Sequence, residues 1–483
     1  VGANASVSAD GKAKMENGSG AGAGVRATYE NQQESSRAAS SEAVVSNVKV
    51  GGSVNSTSSG KTSLEGTSIA AGRDVTLGAS SVDYAAAKNT VSSSSDKTQA
   101  GATVGVDIAN KSVSVGAAYD NGKQSASSST AVVGGIRSGG NVTVNTAGDA
   151  RFEGTRVEAG GAAAINAGGN VAFDAAKNTA TSKDTAIGAS ADVTVGKKGS
   201  AGGGSKSSKG FEVEGSYQQS TASSSDAVAG SITSGGPLSV NAGGNASFTG
   251  TALSSGGDAS VKAGGNVAFD AARSTSTTQD FGVAASLGGS TSSTTKGSGT
   301  GAAGSAGATG ATGGTGAGAG STTRSREGSV GLSGDYGQSS SDTAQGASIQ
   351  SGGNVRIGSG GNTTLEGTQV KAGGAVAVGA GGAVVMKDAV STSSSLEVGG
   401  SLAGTASKES TTPARPGVGT STAPTSTPAA PAPAGTGTAA ESPATTKEIS
   451  GSAKFLMDSD RTVQGTTLQG GNGVTIDAGR PAR

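Results

Sequence analysis

The residues with the most obvious potential for chemistry are Asp174 and Asp270, which occupy equivalent positions in a repeated stretch of the chain. Two carboxylates held near a sugar can act as general acid and general base in glycan cleavage. The same position holds Ala85 in one further copy and Lys387 in another, so no acidic ladder is maintained. We interpret these aspartates as polar residues at the end of a strand and predict no catalytic residue.

Two glycine-rich motifs could in principle hold a ligand. "GKT" at 60–62 would end a phosphate-binding loop only if a glycine stood five residues earlier, where the chain has Asn55. "GGNVTVNTAGD" at 139–149 approaches a calcium-binding β-roll repeat, but Val142 stands where that repeat requires glycine, and Asp149 comes too late. We therefore predict no nucleotide, no metal ion and no other cofactor.

The composition excludes several further kinds of chemistry. The chain has no cysteine and no histidine, which removes disulfides, thiol nucleophiles, zinc fingers and mechanisms that use imidazole. Its 35 basic residues balance 35 acidic ones, and only 2 % of residues are aromatic. A neutral chain without a basic stripe is poorly suited to nucleic acid, so we predict no nucleic-acid partner.

A stretch of constant length recurs along the chain. It is the framework that must position any functional residues. The intervals 138–177, 234–273 and 351–390 share the same length, and 50–88 is one residue shorter. The segments between these intervals vary widely in length. A flexible tether would not keep one part constant while its neighbour grows, so the pattern predicts four structural repeats.

Each constant stretch contains a second period of 21 residues. Gly139 and Gly140 recur as Gly160 and Gly161, and Phe152 recurs as Phe173. Three turn signals separate three short pieces in which apolar and polar residues alternate, which is typical of β-strands. The sequence therefore predicts an all-β fold, a right-handed parallel β-helix with about 21 residues per rung.

Stacked rungs would place equivalent residues over one another. The predicted core columns are Leu64, Phe152, Phe248 and Leu365; Ile69, Val157, Leu253 and Val370; and Tyr84, Phe173, Phe269 and Met386. The predicted corner ladder consists of Gly139, Gly140, Asn141, Gly168, Gly169, Asn170, Gly264, Gly265, Asn266, Gly352, Gly353 and Asn354. We expect these glycines to supply the positive φ of a sharp corner and the Asn side chains to hydrogen-bond along the ladder.

The variable segments predict β-hairpins that leave the helix, with arms of about 7–11 residues and with disordered tips where they are longest. Tyr29, Tyr119, Tyr217, Tyr336 and Phe455 lie in returning arms, which we expect to pack on one another or on the rod. Residues 1–47 would be the hairpin end of a truncated preceding repeat. Two-rung segments would cover 48–89, 136–178, 232–274 and 349–391; hairpins would cover 90–135, 179–231, 275–348 and 392–466; and 467–483 would begin the next rung.

The recurring pattern SIxSGGNVxVxAGGNxxFxGTxVxAGGxxxxxAGGNVxFDAAxxT, followed by a Ser/Gly-rich alternating segment, resembles the haemagglutinin repeat. This repeat belongs to two-partner-secretion exoproteins, namely filamentous haemagglutinins and contact-dependent growth-inhibition proteins. The resemblance implies a Gram-negative exoprotein that is secreted or held at the cell surface. It also implies an outer-membrane transporter as partner during export and a β-helical filament as the displayed form.

Two functions remain open at this point. In the first, the segment is a β-helical shaft for adhesion and cell–cell contact, without catalysis, whose partner is a receptor or glycan on a host or neighbouring cell. In the alternative, the hairpins contact the outer membrane of a target cell and help a distal toxin to cross. Arms of 7–11 residues with few aromatic residues argue against insertion, because a spanning strand needs about 9–11 residues and an aromatic girdle.

Overall fold

The structure, a computed structural model, describes residues 2–12, 22–107, 111–199, 204–296, 321–413 and 444–479. Within these residues the elements are β-strands, arranged in four sheets. No described helix has the length and apolar character needed to cross a membrane. The two longest hairpin tips, which were predicted to be disordered, fall largely on 297–320 and 414–443, which lie outside the described residues.

Three of the sheets are parallel and form the sides of a rod. The first side contains β3 (Asn47–Val50), β6 (Ser68–Ala71), β11 (Gly135–Ser138), β14 (Arg156–Ala159), β19 (Ser231–Ser234), β22 (Ala252–Ser255), β27 (Ser348–Ser351), β30 (Gln369–Ala372) and β35 (Thr467–Gly470). The second side contains β4 (Val54–Thr57), β7 (Val75–Ala79), β12 (Val142–Thr146), β15 (Ala163–Ala167), β20 (Leu238–Ala242), β23 (Ala259–Ala263), β28 (Val355–Ser359), β31 (Val376–Ala380) and β36 (Val474–Ala478). The third side contains β5 (Lys61–Glu65), β8 (Ser81–Ala85), β13 (Ala150–Glu153), β16 (Val171–Asp174), β21 (Ala246–Thr249), β24 (Val267–Asp270), β29 (Thr363–Glu366) and β32 (Val384–Lys387).

The rod is the predicted parallel β-helix. The chain visits the first, second and third sides in turn, and the next rung pairs with the previous one 21 residues away: Ile136 pairs with Val157, Val144 with Ile165, and Phe152 with Phe173. Inward-facing residues alternate with outward-facing ones along each strand, as in β14, where the buried side chains are Val157 and Ala159. The short period-2 pieces are strands because one face of each meets the narrow apolar core.

The fourth sheet is antiparallel and built from the variable segments; we call it the fin. It contains β1 (Gly2–Lys12), β2 (Gly22–Ser41), β9 (Ala87–Asp107), β10 (Ser112–Val132), β17 (Ala176–Gly199), β18 (Ser205–Val228), β25 (Ala272–Lys296), β26 (Ser321–Gln345), β33 (Ala389–Pro413) and β34 (Ala444–Gln464), adjacent in that order.

The predicted arm length of 7–11 residues was wrong, because the arms from β2 to β34 have 20–25 residues. The missed part is the serine-rich half of each arm, such as 92–101, in which apolar residues do not alternate. These residues are strand because each is hydrogen-bonded to a neighbouring hairpin as well as to its own partner, as where Ser127 pairs with both Ser92 and Thr181. Hydrogen bonds between neighbouring hairpins thus stabilise these strands, although their sequence has no alternation of apolar and polar residues.

Fin and rod repeat with the same spacing. Strands in a sheet lie about 4.8 Å apart, so two rungs and one two-stranded hairpin each advance by about 9.6 Å. Hairpins accordingly leave the rod only at every second rung, after β8, β16, β24 and β32. The intervening rungs turn directly through Gly66, Gly154, Gly250 and Gly367, whose φ values are 55–61°. A hairpin at every rung would require twice the available width.

Polar side chains form hydrogen bonds between neighbouring hairpins at the point where the hairpins join the rod. Asn89 Oδ1 accepts a hydrogen bond from the Ala43 amide at 2.7 Å, and Asn178 Oδ1 accepts one from Ala131 at 2.7 Å. In the later repeats a serine replaces the Asn: Ser274 Oγ accepts from Ala227, and Ser391 Oγ accepts from Ala344, each at 2.9 Å. The base of the fin is therefore fixed in the same way in each repeat.

Candidate interaction surface

Ten of the twelve predicted core residues are buried inside the rod, whereas Leu64 is partly buried and Met386 is exposed. On the third side the two predicted columns are alternate members of a single one, which runs Leu64, Tyr84, Phe152, Phe173, Phe248, Phe269, Leu365 and Met386. Its five aromatic rings stack with centroid separations of 4.5–6.4 Å. On the first side Ile69, Val157, Leu253 and Val370 alternate with Ile136, Ile232 and Ile349. Met386, in the last strand of its sheet, is 49 % exposed.

Tyr84 is the polar member of the aromatic column. Its hydroxyl is buried and donates to the carbonyl oxygens of Thr67 and Gly135, the latter at 3.1 Å. Burial raises the pKa of this hydroxyl. Gly134 leaves room for the ring, since a Cβ there would overlap Tyr84 Cε1. The arrangement satisfies a core hydroxyl at the point where a hairpin rejoins the rod, and no substrate could reach it.

The expected role of the paired glycines was wrong. The corners at Gly139–Gly140, Gly168–Gly169, Gly264–Gly265 and Gly352–Gly353 do not adopt positive φ. Glycine is needed there because successive rungs approach too closely for a side chain: a Cβ on the first glycine of each pair would overlap a carbonyl oxygen of the adjacent rung. Left-handed backbone occurs instead at the Gly66, Gly154, Gly250 and Gly367 turns.

The corner asparagines accept hydrogen bonds from backbone amides of the next rung, and Asn170 and Asn354 also donate to Asp149 and Asp258. Asn170 Oδ1 accepts from the Asn245 amide, Asn245 Oδ1 accepts from the Asn266 amide, and Asn266 Oδ1 accepts from the Asn362 amide, at 2.7–2.8 Å. At the other corner, Asn141 bonds to Ala162 and Asn354 to Ala375 in the same way, each at 2.8 Å. The ladder therefore stabilises rung stacking. No group of three or more metal-ligating side chains occurs among the described residues.

The fin has two chemically different faces. Directly opposed residues in paired strands share a face, so the register carries one face across the sheet: Val104, Val115, Val193 and Phe211 follow one another in successive strands. We call this the apolar face and its reverse the acidic face. Sequence reasoning singled out the aromatic residues of the returning arms but not this alignment, which depends on pairing between separate hairpins.

A continuous apolar band crosses the middle of the apolar face. It includes Val104, Val115, Tyr119, Ile187, Val193, Phe211, Val213, Phe281, Val283, Leu287, Val330, Leu332, Val398, Leu402, Ile449 and Phe455, which are 39–80 % exposed. Tyr217 contacts Phe281 with 6.1 Å between ring centroids, and the Phe211 ring lies over Gly289. The returning-arm aromatics Tyr29, Tyr119 and Phe455 remain 43–69 % exposed. An exposed apolar band of this size indicates an interaction surface.

Charge divides between the two faces. The basic residues of the apolar face lie between the band and the two ends of the strands: Arg37, Lys88, Lys123, Lys177, Lys183, Lys197, Lys209, Arg273, Arg324, Arg326, Lys408, Lys447 and Arg461, accompanied by the acidic Asp96 and Asp342. The reverse face carries Glu30, Glu34, Asp107, Asp120, Asp184, Asp192, Glu212, Glu214, Asp226, Asp280, Glu327, Asp335, Glu397, Glu409, Glu448, Asp458 and Asp460, accompanied by the basic Lys97, Lys206, Lys296 and Lys454. Although the chain is neutral overall, its charges are therefore strongly separated between the two faces of the fin.

Between its carboxylates, the acidic face is lined by small residues. A shallow groove of about 490 Å³ crosses the strands over Gly188, Ala284, Ser286, Gly331 and Ser333. A second groove of about 560 Å³ runs beside Glu212 and Glu327. Both grooves are shallow and open to solvent.

Arg273 joins the fin to the rod. Its guanidinium contacts Asp342 of β26 at 3.0 Å and Glu366 of β29 at 3.1 Å. Asp270 lies nearby, and its pKa is raised by burial and by the Glu366 charge, with Lys387 opposing. The two aspartates weighed as catalytic differ in surroundings, because Asp174 accepts a hydrogen bond from Arg151 at 2.8 Å. The two aspartates are not neighbours, because Thr249 lies between them in the stacked rungs, and the carboxylate directly beside Asp174 is that of Glu153.

A parallel β-helical rod with an antiparallel sheet along its side defines a repeat protein of the solenoid class. A family profile described as hemagglutinin repeat matches residues 27–189, 211–395 and 328–481. The chain belongs to the hemagglutinin-repeat family. The members of this family are secreted exoproteins of the Gram-negative cell surface, with structural and adhesive roles, and this establishes the localisation of the protein.

The chain is also similar to a protein named hemolysin from Serratia marcescens, with 27 % identity over 265 residues. The match covers 48 % of this chain and 16 % of the hemolysin. No solved structure matches the chain.

Proposed function

We propose that this segment is the shaft of a large secreted exoprotein that acts in adhesion and cell–cell contact, and that it has no catalytic role. The observation that carries the proposal is the shared spacing of rod and fin. Two rungs of the rod and two strands of the fin cover the same length along the rod axis. Each repeat therefore lengthens both the stiff core and the exposed sheet with its two different faces. Repetition then multiplies contact area, which suits weak binding to many copies of a surface ligand.

The partners follow from this role. An outer-membrane transporter would export the chain, and the absence of cysteine suits passage in an unfolded form. The surface ligand would be a receptor or glycan on a host or neighbouring cell. The exposed side chains of the fin, rather than the buried rungs, would make the contact, because the rod's apolar residues are covered except in its terminal strands.

Binding of the fluorescently labelled chain to cells tests this function. We expect saturable binding that weakens when Leu332→Ser and Leu402→Ser are combined on the apolar face, where both side chains are more than half exposed. Lys262→Ser and Lys371→Ser, which alter exposed residues of the rod, serve as the matched control and should leave binding unchanged. Binding that is insensitive to the fin substitutions would contradict the proposal.

Contact with the outer membrane of a target cell, as part of toxin delivery, is the second candidate, and the size of the apolar band favours it. The band extends from Ile449 to Phe455 and Met457 along β34, roughly 27 Å at the usual rise of a strand. Cationic residues border it on both sides, here Lys447 and Arg461. A membrane β-sheet has an apolar band of about 25 Å. The arms are also long enough, unlike those expected from the sequence.

Outer-membrane vesicles separate the two candidates. A shaft that binds surface ligands should leave fin strands accessible to protease added outside the vesicles, and carbonate or high salt should release it. Protease-protected fragments that correspond to the paired fin strands, and that stay with the membrane after such washing, would support the second candidate and contradict the first.

A further inference from the structure

We propose that the apolar face of the fin docks on the acidic face of the fin in a second copy of this chain. The contact is heterologous, so copies stack in series rather than closing into a dimer. This inference goes beyond the proposed function, since it concerns association between copies in solution and does not depend on adhesion to a cell.

Charge complementarity is the first observation that carries this inference. Lys209, Arg326 and Lys408 border the apolar band on one face, whereas Glu212, Glu327 and Glu409 lie on the other. Two apolar faces placed together would oppose cationic borders, which electrostatic complementarity disfavours. An apolar face placed on an acidic face instead brings a cationic border opposite carboxylates.

Shape complementarity is the second observation. Large side chains project from the apolar face, such as Phe211, Leu332 and Leu402, which are 47–57 % exposed. The acidic face offers grooves floored by glycine, alanine and serine, including Gly188 and Gly331. Large residues on one surface that meet small ones on the other can interdigitate, as the layers of a protein core do.

The available area is sufficient for a stable contact. Nine fin strands at about 4.8 Å spacing span about 43 Å, and with a band of about 20–27 Å this gives roughly 860–1,150 Å² per face. Stable protein interfaces need about 800 Å² per partner. Packed sheets lie about 10 Å apart, whereas a five-residue strand of the rod is roughly 16 Å long. Two rods on the same side of stacked fins would therefore collide, so adjacent copies must place their rods at opposite edges of the fin.

Sedimentation velocity of the lipid-free chain tests the proposal at low and high salt. We expect species larger than dimers at about 50 mM salt and a shift toward monomer at about 500 mM, because exposed charges are screened. Reversal of the cationic border, Lys209→Glu with Arg326→Glu and Lys408→Glu, should abolish assembly. Reversal on the other face, Glu212→Lys with Glu327→Lys and Glu409→Lys, should abolish it equally, and a mixture of the two variants should assemble again.

Three charge reversals on the rod, Lys262→Glu, Arg356→Glu and Lys371→Glu, form the matched control and should leave assembly unchanged. A monomer at every salt concentration would overturn the proposal. So would dimers that are indifferent to reversal on the acidic face, since these would show apolar faces paired with each other. Flotation of the chain with anionic phospholipid vesicles, with no assembly in their absence, would assign the apolar face to lipid and would also overturn it.

Discussion

A methyl group on Gly160 would overlap the carbonyl oxygen of Gly139 in the adjacent rung, while the Gly160 amide donates to the Ser138 carbonyl at 2.9 Å. The two rungs are therefore in direct backbone contact at this corner. The same relation recurs between Gly243 and Gly168 and between Gly264 and Gly243. Paired glycines thus set how closely the rungs stack.

Gly160→Ala should lower the stability of the rod by about 1–3 kcal/mol, the usual cost of overpacking. Gly122→Ala in the fin has no atom within 4 Å of the added Cβ and should change stability by less than about 0.5 kcal/mol. Chemical denaturation followed by circular dichroism measures both. Equal effects of the two substitutions would show that glycine at the corner serves flexibility rather than close approach.

Phe173→Ala should cost about 3–5 kcal/mol, because the ring is buried and stacks on Phe152 and Phe248. Phe281→Ala is the control, since that ring lies on the fin and is 43 % exposed. It should cost less than about 1 kcal/mol. Denaturant midpoints compare the two, and a larger loss for Phe281→Ala would place the stabilising core in the fin.

Asn266→Ala removes the acceptor for the Asn362 amide and should destabilise the rod by about 0.5–1.5 kcal/mol. Asn266→Asp keeps a side-chain oxygen at the same place and should retain most of the stability. Melting temperatures of the two variants provide the comparison. If both variants lose the same stability, the corner ladder depends on the Asn amide nitrogen instead of its oxygen.

Asp270→Asn should stabilise the protein at pH 7, because burial and the Glu366 charge raise the pKa of Asp270 in the folded state. A carboxyl with a raised folded pKa stabilises the fold below its unfolded pKa and loses that contribution as pH rises through the folded value. The gain from Asp270→Asn should therefore vanish near pH 3.

Asp174→Asn is the matched comparison, since Asp174 bonds to Arg151 at 2.8 Å. It should be neutral or slightly destabilising at pH 7, by less than about 1 kcal/mol for a partly exposed pair. Thermal melts at pH 3 and pH 7 distinguish the two positions. A stabilising effect of both substitutions at pH 7 would mean that the carboxylates behave alike.

The sequence predicted the rod but not the fin surface, for a physical reason. Rung stacking repeats local chemistry, so Phe152 and Phe173 could be aligned by counting residues. The glycine corners were located correctly, but their expected positive φ was wrong. The close contact between Gly160 and Gly139 arises only when the backbones of two rungs stack. The polarised faces of the fin depend on register between hairpins, such as Tyr119 opposite Ala189, which no local pattern specifies.

The most direct test of the shared spacing is a disulfide between two successive hairpins. Ser127 of β10 and Thr181 of β17 oppose each other, with 2.7 Å between their hydroxyl oxygens, and the chain contains no native cysteine. The account predicts that Ser127→Cys with Thr181→Cys forms an intramolecular disulfide on mild oxidation, whereas Ser127→Cys with Ser182→Cys, on opposite faces, does not. Absence of the first disulfide, or equal formation of both, would contradict a single fin that advances in step with the rod.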